Sequence, residues 1–172
     1  YWALALGRQL DDALLHLRLN ELSVGTLVFR TEGDPTLVAA HDRFLADSWW
    51  SHWLAREVVL FWRRLLKRLD VTSRTTLAFV TPGSCFVGFL ADILFAVDRS
   101  YGLIGTFEDD DRPAPMIRLT DLNFGPLTMP NGLTRLHTRF WGHDGVVDRL
   151  EESKGVALDT GAALELGLLT DA

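Results

Sequence analysis

The stretch TPGSCFVGFLADILFAVDRSY, residues 81–101, runs from a Pro82-Gly83 turn directly into an apolar segment. The segment predicts a buried helix that opens at the turn. It carries a carboxylate in its middle, Asp92. Burying an unpaired charge is costly, so Asp92 indicates either an ion pair, for instance with Arg99, or a functional site.

The rest of the chain predicts helices that alternate with short strands. Leucines recur at three- and four-residue spacing over 4–20, which is typical of an amphipathic helix. The other predicted elements, in chain order, are a strand at 24–30, a turn at 31–35, one helix or a pair at 36–70, strands at 76–80 and 99–105, an exposed loop at 107–115, a strand at 116–120, and helices at 131–140 and 159–170, the last stopped by Gly167 before a final strand. This order predicts a single α/β domain over 1–172 with layered sheets and mostly crossover connections.

Composition limits the partners and the compartment. The net charge of −6 leaves no broad electropositive face, so we expect no nucleic-acid partner. The longest charge-free run, 75–91, is too short to span a membrane, and no signal peptide is visible. The single cysteine, Cys85, fits a reducing compartment, so we expect a cytoplasmic protein. The chain does not begin with Met, and we expect it to be a piece of a longer one.

Four blocks resemble the crotonase (enoyl-CoA hydratase/isomerase) superfamily, in the right order. GSCFVGFLADILFAVDRSYGL resembles the segment in which a Gly-rich turn opens a buried helix with an acid and a second Asp six residues later, here Gly88, Asp92 and Asp98. The other blocks are LVFRTEGDPTLVAAHD (27–42), TDLNFGPLTMPNGLTRLHTRF (120–140) and ALDTGAALELGLLT (157–170). The resemblance implies a crotonase-like fold with layered sheets flanked by helices.

Within the superfamily, ELSVGTLVFRTEGD, LDVTSRTTLAFVTPGSCFVG and LNFGPLTMPNGLTRL resemble the second, C-terminal crotonase-like half of a ring-opening lyase of aromatic catabolism. The resemblance implies that 2,3-epoxybenzoyl-CoA reacts with water to give an open-chain semialdehyde CoA ester and formate. It also implies an N-terminal half of the same enzyme as a partner, and a homo-oligomer.

The resemblance implies roles for five residues. The backbone amides of His41 and Phe89, the latter beside Gly88, would donate to the thioester oxygen as it gains negative charge. Asp92 and Asp121 would be the acid/base pair, at positions where the family usually has Glu. The CoA thioester is then the substrate, and no cofactor or metal is implied.

Other interpretations stay open at this point. Asp121 at the start of a loop is also typical of a turn or cap residue. Ser84-Cys85 lacks the spacing of a nucleophile elbow, and the histidines lack metal-ligand spacing. The whole segment could instead be a structural or assembly half whose partner carries out catalysis, or another crotonase-type enoyl-CoA hydratase.

Overall fold

The computed structural model describes residues 1–105 and 107–172. The helices are α1 (Trp2–Asn20), α2 (Pro35–Ser48), α3 (Trp53–Asp70), α4 (Ala91–Ala96), α5 (Arg135–Arg139), α6 (Asp144–Glu152) and α7 (Thr160–Glu165). The strands are β1 (Thr26–Phe29), β2 (Thr75–Val80), β3 (Phe86–Val87), β4 (Arg99–Gly102), β5 (Met116–Arg118) and β6 (Leu158–Asp159). Short 3-10 helices cover Gly88–Leu90 and Asp121–Phe124.

The first sheet is parallel and has the strand order β1-β2-β4. Thr26 of β1 lies opposite Thr75 of β2, and Leu77 of β2 lies opposite Arg99 of β4. Parallel neighbours require a crossover, and α2 and α3 provide it between β1 and β2. The predicted alternation of helices and strands is therefore confirmed.

The second sheet joins β3, β5 and β6. β3 pairs with β5 in parallel, and β5 pairs with β6 antiparallel. Directly after β3, Gly88 has a φ of +54°, a left-handed conformation that L side chains rarely adopt. Gly88 thus ends the strand and turns the chain into the 3-10 helix that leads to α4.

The core is a cluster of buried side chains to which α3 contributes a whole face. Trp62 of α3 is 1% exposed and its ring lies 4.5 Å from that of Phe89. The Trp62 Nε1–H donates a hydrogen bond to the carbonyl oxygen of Ala3 in α1, at 3.0 Å. This bond fixes α1 against α3 through a polar atom in an apolar setting. In the described part of the chain, no helix combines the length and the hydropathy that crossing a membrane would take.

Three predictions of secondary structure were wrong. The helix expected at the Pro-Gly turn begins only at Ala91, because β3 and the left-handed Gly88 come first. The expected final strand is a single bridge between Tyr101 and Asp171. The helix α6 was not predicted. The helix expected at 131–140 begins at Arg135, because the Thr134 side chain caps it by accepting the N–H of His137.

Candidate functional site

Asp92 lies in α4 with no exposed surface. Its Oδ2 accepts a hydrogen bond from Asn123 Nδ2 at 2.9 Å. Among the described residues, its Oδ1 has no hydrogen-bond partner, and the cation that pairs with it is Arg135, whose Nη1 is 3.7 Å away. Burial raises the pKa of Asp92 to about 7, against the opposing effects of Arg135 and Asn123. Asp92 therefore pairs with Arg135, where the sequence suggested Arg99.

Arg135 is a buried cation shared by two carboxylates. Its Nε and Nη2 donate to the two oxygens of Asp70, at 3.0 and 2.7 Å, in a bidentate pair. Its Nη1 donates to the carbonyl oxygen of Leu127 at 3.2 Å and faces Asp92. The Arg135 side chain is only 1% exposed, so this arrangement holds α3, α4 and α5 together by charge.

Asp42 of α2 is a second fully buried carboxyl group, and it accepts a hydrogen bond from the Phe89 backbone amide. The Phe89 backbone N–H donates to Asp42 Oδ1 at 3.0 Å, and the Thr120 hydroxyl donates to Asp42 Oδ2. Burial raises the pKa of Asp42 to about 7, while the two hydrogen bonds act in the opposite direction. The chain's own side chain thus fills the position where the sequence analysis expected a substrate oxygen.

Gly88 makes room for that carboxyl group. A Cβ at residue 88 would lie 2.4 Å from Asp42 Oδ1 and 2.4 Å from its Cγ, much closer than real Cβ atoms approach. The Gly88 carbonyl accepts a hydrogen bond from Asn123 Nδ2 at 2.8 Å. Gly88 therefore serves the packing of Asp42 directly, whatever else it does.

Asn123 connects the two buried carboxyls. Its Nδ2 bonds both Gly88 and Asp92, and its Oδ1 accepts the backbone N–H of Thr120 at 2.8 Å. Thr120 in turn bonds Asp42. One polar network therefore runs from Asp42 through Thr120 and Asn123 to Asp92.

His41 lies inside α2, where a helical backbone N–H bonds a carbonyl one turn earlier. Its ring packs among aromatic rings, with centroids 4.8 Å from Trp2 and 6.4 Å from Phe89. Burial lowers the pKa of His41, so the ring is neutral in this setting. The Phe89 N–H is bonded to Asp42, and the His41 N–H lies inside α2; the donation of both groups to a thioester oxygen stays a prediction.

Asp121 differs from Asp92 in being exposed. Its side chain is 68% exposed, and its Oδ1 accepts a hydrogen bond from Lys154 Nζ at 2.8 Å. Asp121 lines a cleft of about 470 Å³ whose walls include Trp49, Trp50 and Pro126. The predicted pair is thus split between a buried acid and one at the mouth of a cleft.

The structure brings Gly88, Phe89 and Asp92 together, with His41 beside Phe89. Their predicted roles toward a substrate, and that of Asp121, stay predictions. Asp98, the second acid of the motif, instead ties β2 to β4, because its Oδ2 accepts the backbone N–H of Thr76 at 2.8 Å.

Four residues of the network were not predicted as site residues. Two of them stood in quoted blocks without a role: Asp42 follows Ala40-His41, and Arg135 precedes Leu136 in the helix motif. The other two form a capping box, a signal readable from Thr120 and Asn123 three residues apart.

The candidate nucleophiles Ser84 and Cys85 and the candidate metal ligands have structural surroundings. Ser84 Oγ accepts the backbone N–H of Thr81 at 2.9 Å, within the turn. Burial raises the pKa of the Cys85 thiol, which disfavours the nucleophilic thiolate. Over residues 1–105 and 107–172, no three His, Cys, Asp or Glu side chains are grouped to hold a metal ion.

Comparison with known proteins bears out the resemblance. No protein-family model matches the chain. Over 170 residues, 99% of its length, the chain is 41% identical to a benzoyl-CoA-dihydrodiol lyase of Aromatoleum evansii, and it spans about 30% of that protein.

Solved structures of enoyl-CoA hydratases and a related protein share the fold at low identity. Pseudomonas aeruginosa AtuE superposes with a TM-score of 0.63 at 16% identity, over 98% of this chain and 59% of that one. The enoyl-CoA hydratase of Bacillus anthracis superposes with a TM-score of 0.62 at 17% identity, over 98% of this chain and 59% of that one. The enoyl-CoA hydratase of Bacillus halodurans superposes with a TM-score of 0.61 at 19% identity, over 97% of this chain and 62% of that one.

Proposed function

From the crotonase fold of this chain and its similarity over nearly its whole length to part of a benzoyl-CoA-dihydrodiol lyase, we propose that it is a segment of a longer lyase. The proposed substrate of the whole enzyme is an aromatic CoA thioester. The proposed reaction is the opening of 2,3-epoxybenzoyl-CoA with water to a semialdehyde CoA ester and formate. An N-terminal half and further copies of the enzyme are the proposed partners.

Within that enzyme, we propose that this segment is structural. The observation that carries the proposal is the bond from the Phe89 N–H to Asp42 Oδ1 at 3.0 Å. A donor can stabilise a thioester oxygen only when it is aimed at that oxygen and free. Here a carboxyl group holds the donor, and an ionised Asp42 would repel an oxygen that gains negative charge.

The surroundings of Asp42 support the same role. The carboxyl is fully buried, bonded at both oxygens, and packed against Gly88 too closely for any Cβ at that position. Removing the carboxyl group would leave two donors, the Phe89 N–H and the Thr120 hydroxyl, without this acceptor. The arrangement stabilises the fold at the expense of an open oxyanion site.

A catalytic role for the acids is a second candidate. Burial gives Asp92 a pKa of about 7, which suits a group that both donates and accepts protons. Asp121 lines a cleft of about 470 Å³ beside Trp49 and Trp50, large enough for an aromatic acyl group. These two observations favour the candidate, and the following experiment separates it from the structural role.

The test replaces each acid by its neutral isostere in the complete lyase. Asp92→Asn and Asp121→Asn are assayed for formate release from the epoxide, with Asp12→Asn on the exposed face of α1 as the matched control. The structural role predicts turnover within about twofold of wild type and an unchanged oligomer mass. A loss of about a hundredfold or more with normal assembly would establish the catalytic role instead.

A binding measurement gives an independent answer. A ligand that binds only the folded state raises its melting temperature. If this segment is structural, benzoyl-CoA leaves the melting temperature of the 172-residue chain unchanged. A rise that grows with benzoyl-CoA concentration, and that coenzyme A alone does not produce, contradicts the proposal.

A further inference from the structure

A second cavity, of about 200 Å³, also includes Asp121 in its lining, together with three basic side chains. Arg43 comes from α2, Arg118 from β5, and Lys154 from the turn after α6. Three separate parts of the chain thus bring their positive charges to one small cavity. Of the described residues that line it, one is an acid, Asp121, which leaves an excess of two positive charges among them.

The ion pairs around the cavity use only one of the cations. Lys154 Nζ is 2.8 Å from Asp121 Oδ1 and 4.0 Å from Glu151 Oε2. Among the residues that the structure describes, neither Arg43 nor Arg118 has a carboxylate oxygen within 4.0 Å. No described carboxylate group within that distance therefore offsets the charge of either guanidinium group.

Arg118 carries an additional unsatisfied group. Its Nε is buried and has no hydrogen-bond partner in the described part of the chain. A buried donor without a partner is unfavourable, and an acceptor oxygen placed against it removes the penalty. Arg118 lies on a strand and is half-buried, whereas Arg43 and Lys154 are exposed.

The dimensions of the cavity restrict the ligand. Its volume of about 200 Å³ is roughly that of several water molecules, each of which takes about 30 Å³ in the liquid. This suits a phosphate or carboxylate group as the part of a ligand that enters the cavity. Arginine binds both groups with two parallel hydrogen bonds, which a chloride ion cannot accept.

We propose that the cavity between Arg43 and Arg118 is a binding site for an oxyanion, a phosphate or a carboxylate group. Arg118 supplies the fixed donor, Arg43 closes over the ligand from α2, and Lys154 adds charge while bound to Asp121. The site depends on residues outside the buried network of Asp42 and Asp92. It stands or falls independently of the function proposed above.

The test compares sodium phosphate, sodium acetate and sodium chloride at equal ionic strength, with the melting temperature of the purified protein as readout. We expect phosphate or acetate to raise the melting temperature beyond chloride, in a concentration-dependent way. A response to phosphate alone identifies a phosphate site, and a response to acetate alone identifies a carboxylate site. Equal melting temperatures in all three salts would refute the proposal.

Single variants localise the effect. Arg118→Gln and the exposed Arg43→Gln each weaken binding about tenfold or more, since a hydrogen bond to a charged group contributes about 1.5 to 3 kcal/mol. The matched control is Arg8→Gln on the exposed face of α1, which binds as wild type does. An Arg8→Gln loss equal to those of the cavity variants would mean that only net charge matters, and the site would be rejected.

Asp121→Asn gives a prediction of opposite sign. Asp121 is the acid that competes with an anionic ligand for Lys154, at 2.8 Å. Its neutralisation tightens phosphate or acetate binding, and the midpoint of the titration moves to lower concentration. Weaker binding by Asp121→Asn would contradict the proposed site.

Discussion

Asp42 Oδ1 accepts the backbone N–H of Phe89 at 3.0 Å, across 47 positions of sequence. The other oxygen of the same carboxyl accepts the Thr120 hydroxyl, 78 positions away. One side chain therefore connects α2 with the two 3-10 helix regions. The buried network that continues to Asp92 makes several stability measurements informative.

The first prediction concerns pH. Burial raises the pKa values of Asp42 and Asp92 from 3.8 to about 7. Between pH 4 and 7 the unfolded chain loses these protons while the folded chain keeps them. The free energy of unfolding therefore falls as the pH rises through this window, and this contribution levels off above pH 7. Urea unfolding at pH 5 and pH 8 measures the difference.

The isosteric variants test the assignment. Asp42→Asn and Asp92→Asn each reduce the loss of stability between pH 5 and pH 8, because a neutral amide does not titrate. The exposed Asp12→Asn keeps the wild-type difference. A double variant with Asn at 42 and 92 that retained the full pH dependence would show that other groups cause it.

The second prediction concerns Gly88. Gly88→Ala destabilises the protein by about 3 kcal/mol, from the overlap with Asp42 and from the left-handed backbone. In an Asp42→Ala background the same change costs less, because the overlap is gone and only the backbone strain remains. A double-mutant cycle by urea denaturation measures the coupling. Additive effects would contradict the close packing of the two residues.

The third prediction concerns Arg135. Arg135→Met leaves Asp70 and Asp92 without their shared cation and costs about 3 to 5 kcal/mol of stability. In an Asp92→Asn background the cost is smaller, since one of the two acids is already neutral. The exposed Arg56→Met on α3 serves as the control, with a change within about 0.5 kcal/mol. Equal losses at residues 56 and 135 would show that the buried pair contributes nothing.

The fourth prediction concerns the contact between α1 and α3. Trp62→Phe removes the bond to the Ala3 carbonyl and leaves a cavity, at a cost of about 2 to 3 kcal/mol. Trp53→Phe, on the same helix but 72% exposed, changes the free energy of unfolding by less than about 0.5 kcal/mol. Chemical denaturation followed by circular dichroism compares the two. A similar effect of both changes would argue against the buried indole as the link.

The helices and strands predicted correctly are those whose hydrophobic periodicity lies within one short stretch of sequence. The leucine spacing over 4–20 matches α1 (Trp2–Asn20), and the apolar run at 76–80 matches β2 (Thr75–Val80). The segment 36–70, where one helix or a pair of short helices was expected, forms two helices, α2 and α3. These segments owe their structure to periodicity that a window of a few residues contains.

The site could be predicted only in part, because its contacts are distant in sequence. Asp92 was recognised as a buried acid, but its partner Arg135 comes from a different helix. The role of Asp42 depends on Phe89 and Thr120, and no local spacing connects those residues. The helix start at Ala91 was misplaced for a related reason, since the chain first turns at Gly88 to meet Asp42.

The exchange rate of the Phe89 amide proton measures how often the core opens. It is buried, and its acceptor belongs to a helix whose other contacts must separate before water can reach it. Local fraying of either segment leaves the bond closed, so exchange with deuterium requires a large cooperative opening. This one proton would therefore exchange among the slowest in the chain, at a rate that follows global unfolding.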